Sequence, residues 1–334
     1  MRKKERLLYK DGRKNTNAYK FSVFKTKEKV IIVLAFILVI IFSFGLFLEK
    51  CNIISMNDIA NKLGIIDGVN RQYFDFSIYY LDVGQSDCSI IICNDEVLMI
   101  DTGTANQLNT IRESLKSLDI STIDYMIITH PHDDHMGSAY DLIEDYDVRN
   151  ILMAKISNDT DLTYSYNKLI DSLSRNNVNK INVEPGMTFK IGDAWVCVYA
   201  PLETDDELNN NSIVIKVVYG NTSFLFQGDA EATVEKALIE TQFNLDSDIL
   251  KLGHHGSDTS SIVNFLEEVT PFAGIISCGS DNTYSHPNGN VIERLDNLGI
   301  DAYATSLSGN ITIVSDGSNI TVITDDGQKT TYTK

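Results

Sequence analysis

A chain of 334 residues, 43% of them hydrophobic, has room for one large domain or two ordinary ones and the apolar content for a sizeable core. Its formal net charge of −18 is unevenly spread: eleven Lys/Arg against three Asp/Glu before Val30 make that stretch +8, which leaves −26 for the remainder. The remainder is therefore a poor general binder of polyanions, because sequence-independent affinity for phosphate polymers comes from Lys and Arg, and five cysteines without paired spacing exclude a disulfide framework.

In chain order, residues 1–29 read as a basic tail. Val30 to Leu48 is an uncharged apolar run of 19 residues. At roughly 1.5 Å per residue it nearly matches a hydrocarbon core of roughly 30 Å. Arg13, Lys14, Lys20, Lys25, Lys27 and Lys29 precede it, while Glu49, Lys50 and Asp58 follow. That asymmetry predicts a single-pass anchor with its N-terminus in the cytoplasm and the rest outside the cell. A cleaved signal peptide fits less well: the basic stretch and the apolar run are both long, and no A-x-A site follows. Residues 49–73 read as a stalk, and 74–334 as one catalytic domain.

The domain begins with short apolar strands, "FSIYYLDV", "CSIIIC" and "VLMI". A helix is expected over Gln107–Leu118, then the buried strand "DYMIITH", then helices at Gly137–Glu144 and Leu162–Asn176. Strands follow at "INV", "WVCVYA", "SIVIKVVY" and "TSFLFQ". Helix Glu231–Thr241 precedes "SDILKL", helix Ile262–Glu268 precedes "AGIISC", and helix Val291–Leu298 precedes "AYAT", "NITIV" and "NITVIT". Strand clusters alternating with single helices predict layered α/β packing with helices outside the sheets.

Half of the six histidines stand in "THPHDDHMG". At the end of a strand, His130 and His132 can turn toward one point. The following turn brings Asp134 and His135 to a second, while Asp133 points away. Imidazole nitrogen and carboxylate oxygen are the usual ligands of zinc-class ions. The other polar residues that answer this motif also sit just past apolar strands: Asp229 in "FLFQGDA", His254 and His255 in "LKLGHHGS", and His286 in "NTYSHPN". Loops at strand ends are where α/β sheets present ligand groups.

In this order, H-x-H-x-D-H, G-D and a further histidine resemble the metallo-β-lactamase fold hydrolases. The blocks "YYLDVGQSDCSIII", "VLMIDTG", "NNNSIVIKV", "DILKLGHHGSDTSS" and "NTYSHPN" resemble one branch, the hydrolase domain of the ComEC competence proteins, from about Tyr79 nearly to the C-terminus. Teichoic-acid phosphorylcholine esterases are similar. The resemblance implies a four-layer αββα sandwich and two divalent ions. His130 and His132 would hold one ion, and Asp134 and His135 the other. Asp229 would bridge them, and His255 or His254 would complete the second site. Where other branches supply one more histidine, this chain has Asn209, Asn210 and Asn211, as ComEC-like domains do, which leaves the first site short of a ligand and admits Mn²⁺. His132, where many ComEC-type domains have aspartate, tilts the choice toward Zn²⁺. Asp82, Asp101 and Asn210 would support the ligands from behind, and Asp134 and His286 would take part in catalysis, with His286 or the non-liganding member of His254 and His255 as a proton or hydrogen-bond donor.

The function so implied is a membrane-anchored, extracellular metal-dependent phosphodiesterase in which the two ions activate water. Its candidate substrates are DNA, in connection with uptake, and a cell-wall phosphodiester, with a groove around Lys216 or Lys251 to offset the acidic surface. The alternatives are hydrolysis of a lactone or β-lactam, and a non-catalytic binding module of an envelope or DNA-uptake assembly.

Overall fold

Strands β1 (Phe76–Tyr80), β2 (Ser89–Cys93) and β3 (Glu96–Ile100) are buried on both faces almost throughout, so the sheet they form must be covered on both sides. The structure, a computed structural model, describes residues 74–156 and 164–334. The basic tail, the apolar run, the stalk and Cys51 lie outside the described residues, and among the described residues no helix is long and apolar enough to cross a membrane.

After β3 come α1 (Leu108–Ser117), β4 (Thr122–Ile128), two short helices α2 (Asp133–Met136) and α3 (Ala139–Asp145), β5 (Asp147–Met153), α4 (Tyr164–Arg175) and β6 (Asn179–Asn182). The second half runs β7 (Thr188–Ile191), β8 (Ala194–Ala200), β9 (Val214–Tyr219), β10 (Thr222–Phe226), α5 (Ala232–Ile239), β11 (Ile249–Lys251), α6 (Val263–Val269), β12 (Ala273–Ile276), α7 (Gly289–Leu298), β13 (Asp301–Ala304) and α8 (Thr305–Ser308). It ends with β14 (Ile311–Ser315), β15 (Asn319–Thr324) and β16 (Lys329–Thr333). The strands form a nine-stranded sheet, β16-β15-β14-β1-β2-β3-β4-β5-β6, and a seven-stranded sheet, β13-β12-β11-β10-β9-β8-β7. Each has a parallel half, β3 to β6 in the first and β10 to β13 in the second.

Alternation along each strand builds three apolar layers. Phe76, Ile78, Tyr80 and Ile91 meet Val196, Phe224, Phe226 and Ile249 between the sheets, with Phe76 stacked on Phe224 at 5.1 Å. Ile90, Met99 and Met126 pack outward on Ile111, Leu115, Leu142 and Leu169. Leu225 and Leu250 pack on Leu238, Phe265 and Leu295. Helix, sheet, sheet, helix is the expected four-layer sandwich.

Three strands depart from the expected pattern. The first half of β5 is polar, β7 has one fully buried residue, and β16, at an edge, has none. Each lacks the apolar run that marks a strand, and cross-strand pairing supplies the order. The helix expected from Gly137 instead starts inside the motif and breaks in two at Gly137, where the chain presses on Thr104 and Ala105. The four described cysteines are free.

Candidate metal centre

Strand β4 stops at Ile128, so Thr129 and His130 are the first residues free to leave the sheet. Asp101, at the end of the neighbouring β3, fastens them. The Thr129 backbone N–H donates to its Oδ1 at 2.8 Å, and the Thr129 hydroxyl to its Oδ2 at 2.8 Å. The same Oδ2 lies 2.8 Å from His135 Nδ1, a carboxylate–histidine pair that fixes the ring and leaves Nε2 facing inward. His130 Nε2 lies 2.9 Å from His132 Nδ1.

The second sheet brings its groups to the same place. Gly228 follows β10 with φ +54°, and a Cβ there would stand 2.8 Å from Thr129 Cβ. Only glycine lets the two loops approach this closely and adopt that backbone. Asp229 follows, its N–H bonded to Ser212 Oγ at 3.0 Å. After β11, His254 and His255 have φ of +49° and +54°. Two consecutive left-handed side-chain-bearing residues cost roughly 1–3 kcal/mol each, a strain that clusters at functional sites. His255 Nδ1 lies 2.9 Å from the Ser277 carbonyl and its Nε2 lies 3.3 Å from Asp134 Oδ2.

One atom collects these groups. Asp229 Oδ2 is 3.2 Å from His135 Nε2, 3.7 Å from His130 Nε2, 3.7 Å from His255 Nε2 and 4.0 Å from His254 Nε2. Ligand atoms of Asp134, His135, Asp229 and His255 all lie within 4.8 Å of one another. His135 Nε2 and Asp229 Oδ1 are buried without a hydrogen-bond partner. Orphaned buried polar atoms are costly and uncommon, and a cation bound among them would satisfy both.

The electrostatics agree with such a donor set. Burial pushes His130 well below the usual histidine range, with His135 adding to the effect. Burial opposes charge on His135 too, but Asp229 and Asp101 outweigh it and hold that ring well above the usual range. His255 is raised to about 10 against its burial by Asp229, Asp87 and Asp134. In spite of burial, His135 and His255 hold Asp229 well below the carboxylate range, and His255 and His135 bring Asp134 to about 2. Asp101 is raised by burial, with His135 pulling part of the way back. The carboxylates make a negative hollow lined with imidazole nitrogens, which fits divalent ions.

The other expected residues fall outside this cluster or at its edge. Asp82 is exposed, and its Oδ1 accepts from the Gly84 N–H at 3.3 Å. It shapes the turn, and Asp87, five residues on and 4% exposed, occupies the place expected for it, 3.3 Å from His255 Nδ1. Asn210 turns to Asp205, to which its Nδ2 donates at 3.2 Å; its neighbour Asn209 is the one that reaches His254, with Nδ2 3.5 Å from Nε2. His254 itself is held on its other nitrogen by Thr259 Oγ1 at 3.0 Å. His286 lies at the rim, its ring 5.6 Å from that of His254, and burial together with His254 and His255 lowers its pKa. Gln85 orients it: the Gly279 N–H donates to Gln85 Oε1 at 3.1 Å, so Nε2 faces His286 Nδ1 at 3.2 Å. Among the described residues no basic groove forms around Lys216 or Lys251. Lys216 is buried and donates to the Asn244 carbonyl, and Lys251 is buried against Asp87. Asp87 was hidden in the sequence because "LDVGQSD" holds two aspartates and the turn between them decides which one points inward.

Residues 81–193 match the model of the metallo-beta-lactamase superfamily. The chain is 30% identical to ComE operon protein 3 of Bacillus subtilis over 59% of its length and 25% of that protein's. It is 29% identical to competence protein ComA of Neisseria gonorrhoeae over 68% of its length and 30% of that protein's. It thus spans less than a third of the length of these relatives. Among solved structures, the diiron β-hydroxylase CmlA of Streptomyces venezuelae superposes with a TM-score of 0.52 at 17% identity, over 78% of this chain and 59% of that one, a likeness of fold alone.

Proposed function

From a chain that carries a metallo-β-lactamase domain and is related to the ComEC family of competence proteins, we propose a membrane-anchored, extracellular phosphodiesterase with a two-ion centre. Metal-dependent hydrolysis is the activity that the match over residues 81–193 supports; the bond cut, the metal and the anchor go further and rest on the site and the sequence. The observation that carries it is the convergence of four histidine nitrogens on Asp229 Oδ2 within 4.0 Å.

His130, His132 and Asp229 would hold one ion, and Asp134, His135, His255 and Asp229 the other, with Zn²⁺ preferred to Mn²⁺ for a donor set so rich in imidazole. Bound there, two such ions supply an activated water and neutralise charge on phosphoryl oxygens. The protein does the rest. Asp101 and the Ser277 carbonyl hold the Nδ1 sides of His135 and His255, so both rings present Nε2. Gln85 donates to His286 Nδ1, which leaves His286 Nε2–H as a donor toward a phosphoryl or leaving-group oxygen at the rim. Since neither Lys216 nor Lys251 reaches the surface, the substrate's charge would be met at the centre itself and not along a basic track. The uncharged run from Val30 to Leu48 and the basic residues before it support a single-pass anchor with the N-terminus inside. DNA or a wall polymer outside the membrane would then be the substrate.

The test is turnover by the full-length protein, loaded with Zn²⁺ or Mn²⁺, of bis-p-nitrophenyl phosphate, single-stranded DNA and a choline phosphodiester. Cleavage of at least one, abolished in Asp134→Ala with helix and strand content intact, is expected. Inertness on all three with opening of a lactone or β-lactam would transfer the site to another bond.

A further inference from the structure

Behind the donors lies a buried ion pair that the chemistry above leaves unused. Lys251, the last residue of β11, is 2% exposed. Its Nζ donates to Asp87 Oδ2 at 2.7 Å and to the Leu252 carbonyl at 3.1 Å. Asp87 stands in the loop between β1 and β2, so the pair ties one sheet to the other. Its main chain is fixed as well: the Asp87 N–H donates to the Asp134 carbonyl at 3.2 Å, and its carbonyl accepts from Gly103 at 2.8 Å. Its second oxygen, Oδ1, is buried without a hydrogen-bond partner and lies 3.3 Å from His255 Nδ1. Asp87 therefore touches two residues of the cluster, His255 by its side chain and Asp134 by its backbone.

A pair whose only task was to join two sheets would be an odd choice. Desolvating both charges is expensive, and apolar residues of similar volume usually do as well. What this pair has that apolar residues lack is charge, placed behind an imidazole whose far nitrogen faces the centre. The Ser277 carbonyl, 2.9 Å from His255 Nδ1, fixes the ring, and the carboxylate 3.3 Å from the same nitrogen adds charge that sets its basicity. We propose that Lys251 is a positioning residue of the metal centre: its ammonium pins the Asp87 carboxylate against His255 Nδ1 and offsets its charge. His255 then meets a balanced pair, and an ion held by His255 would be spared the pull of a free carboxylate. The inference rests on His255 as a metal ligand and not on the phosphodiester reading.

The two halves of the pair should act on the metal with opposite sign, which a purely structural bridge would not do. In the full-length protein, Asp87→Asn leaves an unbalanced cation beside His255 and should weaken Zn²⁺ binding, read by chelator competition, by roughly 10–100-fold. Lys251→Met leaves an unbalanced carboxylate and should tighten it by about tenfold. Both should melt lower than wild type without metal, and Lys251→Met should recover more of its loss when Zn²⁺ is added. The double variant Asp87→Asn/Lys251→Met removes both charges; it should melt within a few degrees of wild type and bind Zn²⁺ about tenfold more weakly, because His255 has lost its carboxylate. If the single variants fail to fold, the double variant decides. Equal weakening by both single variants, or wild-type affinity in the double variant, would overturn the proposal. Phosphodiester turnover is not read, so a wrong substrate class would leave this result standing.

Discussion

The two sheets contribute to one centre in different ways. The nine-stranded sheet sends His130, His132, Asp134 and His135 from a single turn after β4, all within six residues. The seven-stranded sheet sends Asp229 from one loop and His254 and His255 from the next, across an intervening helix and strand. The first half is a local feature, built by a short helix whose first turn points two side chains inward. The second exists only because β10 and β11 lie parallel and side by side. Local geometry can place ligands, but a shared oxygen such as Asp229 Oδ2 has to come from the opposite sheet, so the centre closes only when the sandwich does.

That contrast breaks most completely at Asp229. Replacing it with alanine removes the atom common to both halves, and metal content measured by elemental analysis should fall well below the wild-type value at both positions. Turnover of a phosphodiester should drop by at least roughly 10²–10³-fold, the scale of losing one group that stabilises a reacting centre. His255→Ala and His254→Ala sharpen it next. His255 is buried with Nε2 on the Asp134 side, while His254 is partly exposed and held by Thr259 and Asn209. Zn²⁺ affinity should therefore fall much more in His255→Ala than in His254→Ala, and equal losses would mean that both rings are ligands of comparable weight. Gly228→Ala tests the meeting of the loops, since its Cβ would stand 2.8 Å from Thr129 Cβ at φ +54°. A loss of about 1–3 kcal/mol is expected; at roughly 2–4 °C per kcal/mol for a domain of this size, the melting temperature should fall by several degrees. Smallest of all is Arg112→Ala. Arg112 pairs with Asp145 on the surface of the helical layer, with both side chains over a third exposed. Its removal should cost less than about 1 kcal/mol by denaturant titration and leave metal content unchanged.

The sandwich and the ligand loops were legible in the sequence wherever the chain is apolar. "DYMIITH", "TSFLFQ" and "SDILKL" announce buried strands, and the polar residues just past them are the ones that converge. Legibility failed where pairing and turns decide. β5, β7 and β16 are too polar to read as strands without their partners. Asp82 and Asp87 differ only in which side of a turn they occupy, and that turn gives the inner place to Asp87. Lys251 reads as a candidate for phosphate contact until β11 is seen to be covered on both faces. The left-handed backbone of His254 and His255 leaves no mark in composition, since neither residue is glycine.

Anomalous diffraction from crystals of the full-length protein grown with Zn²⁺ tests the central claim most directly. The account predicts two anomalous peaks, both within bonding distance of the Asp229 carboxylate, one beside His130 and His132 and the other beside Asp134, His135 and His255. A single peak, or peaks that Asp229 does not touch, would contradict it.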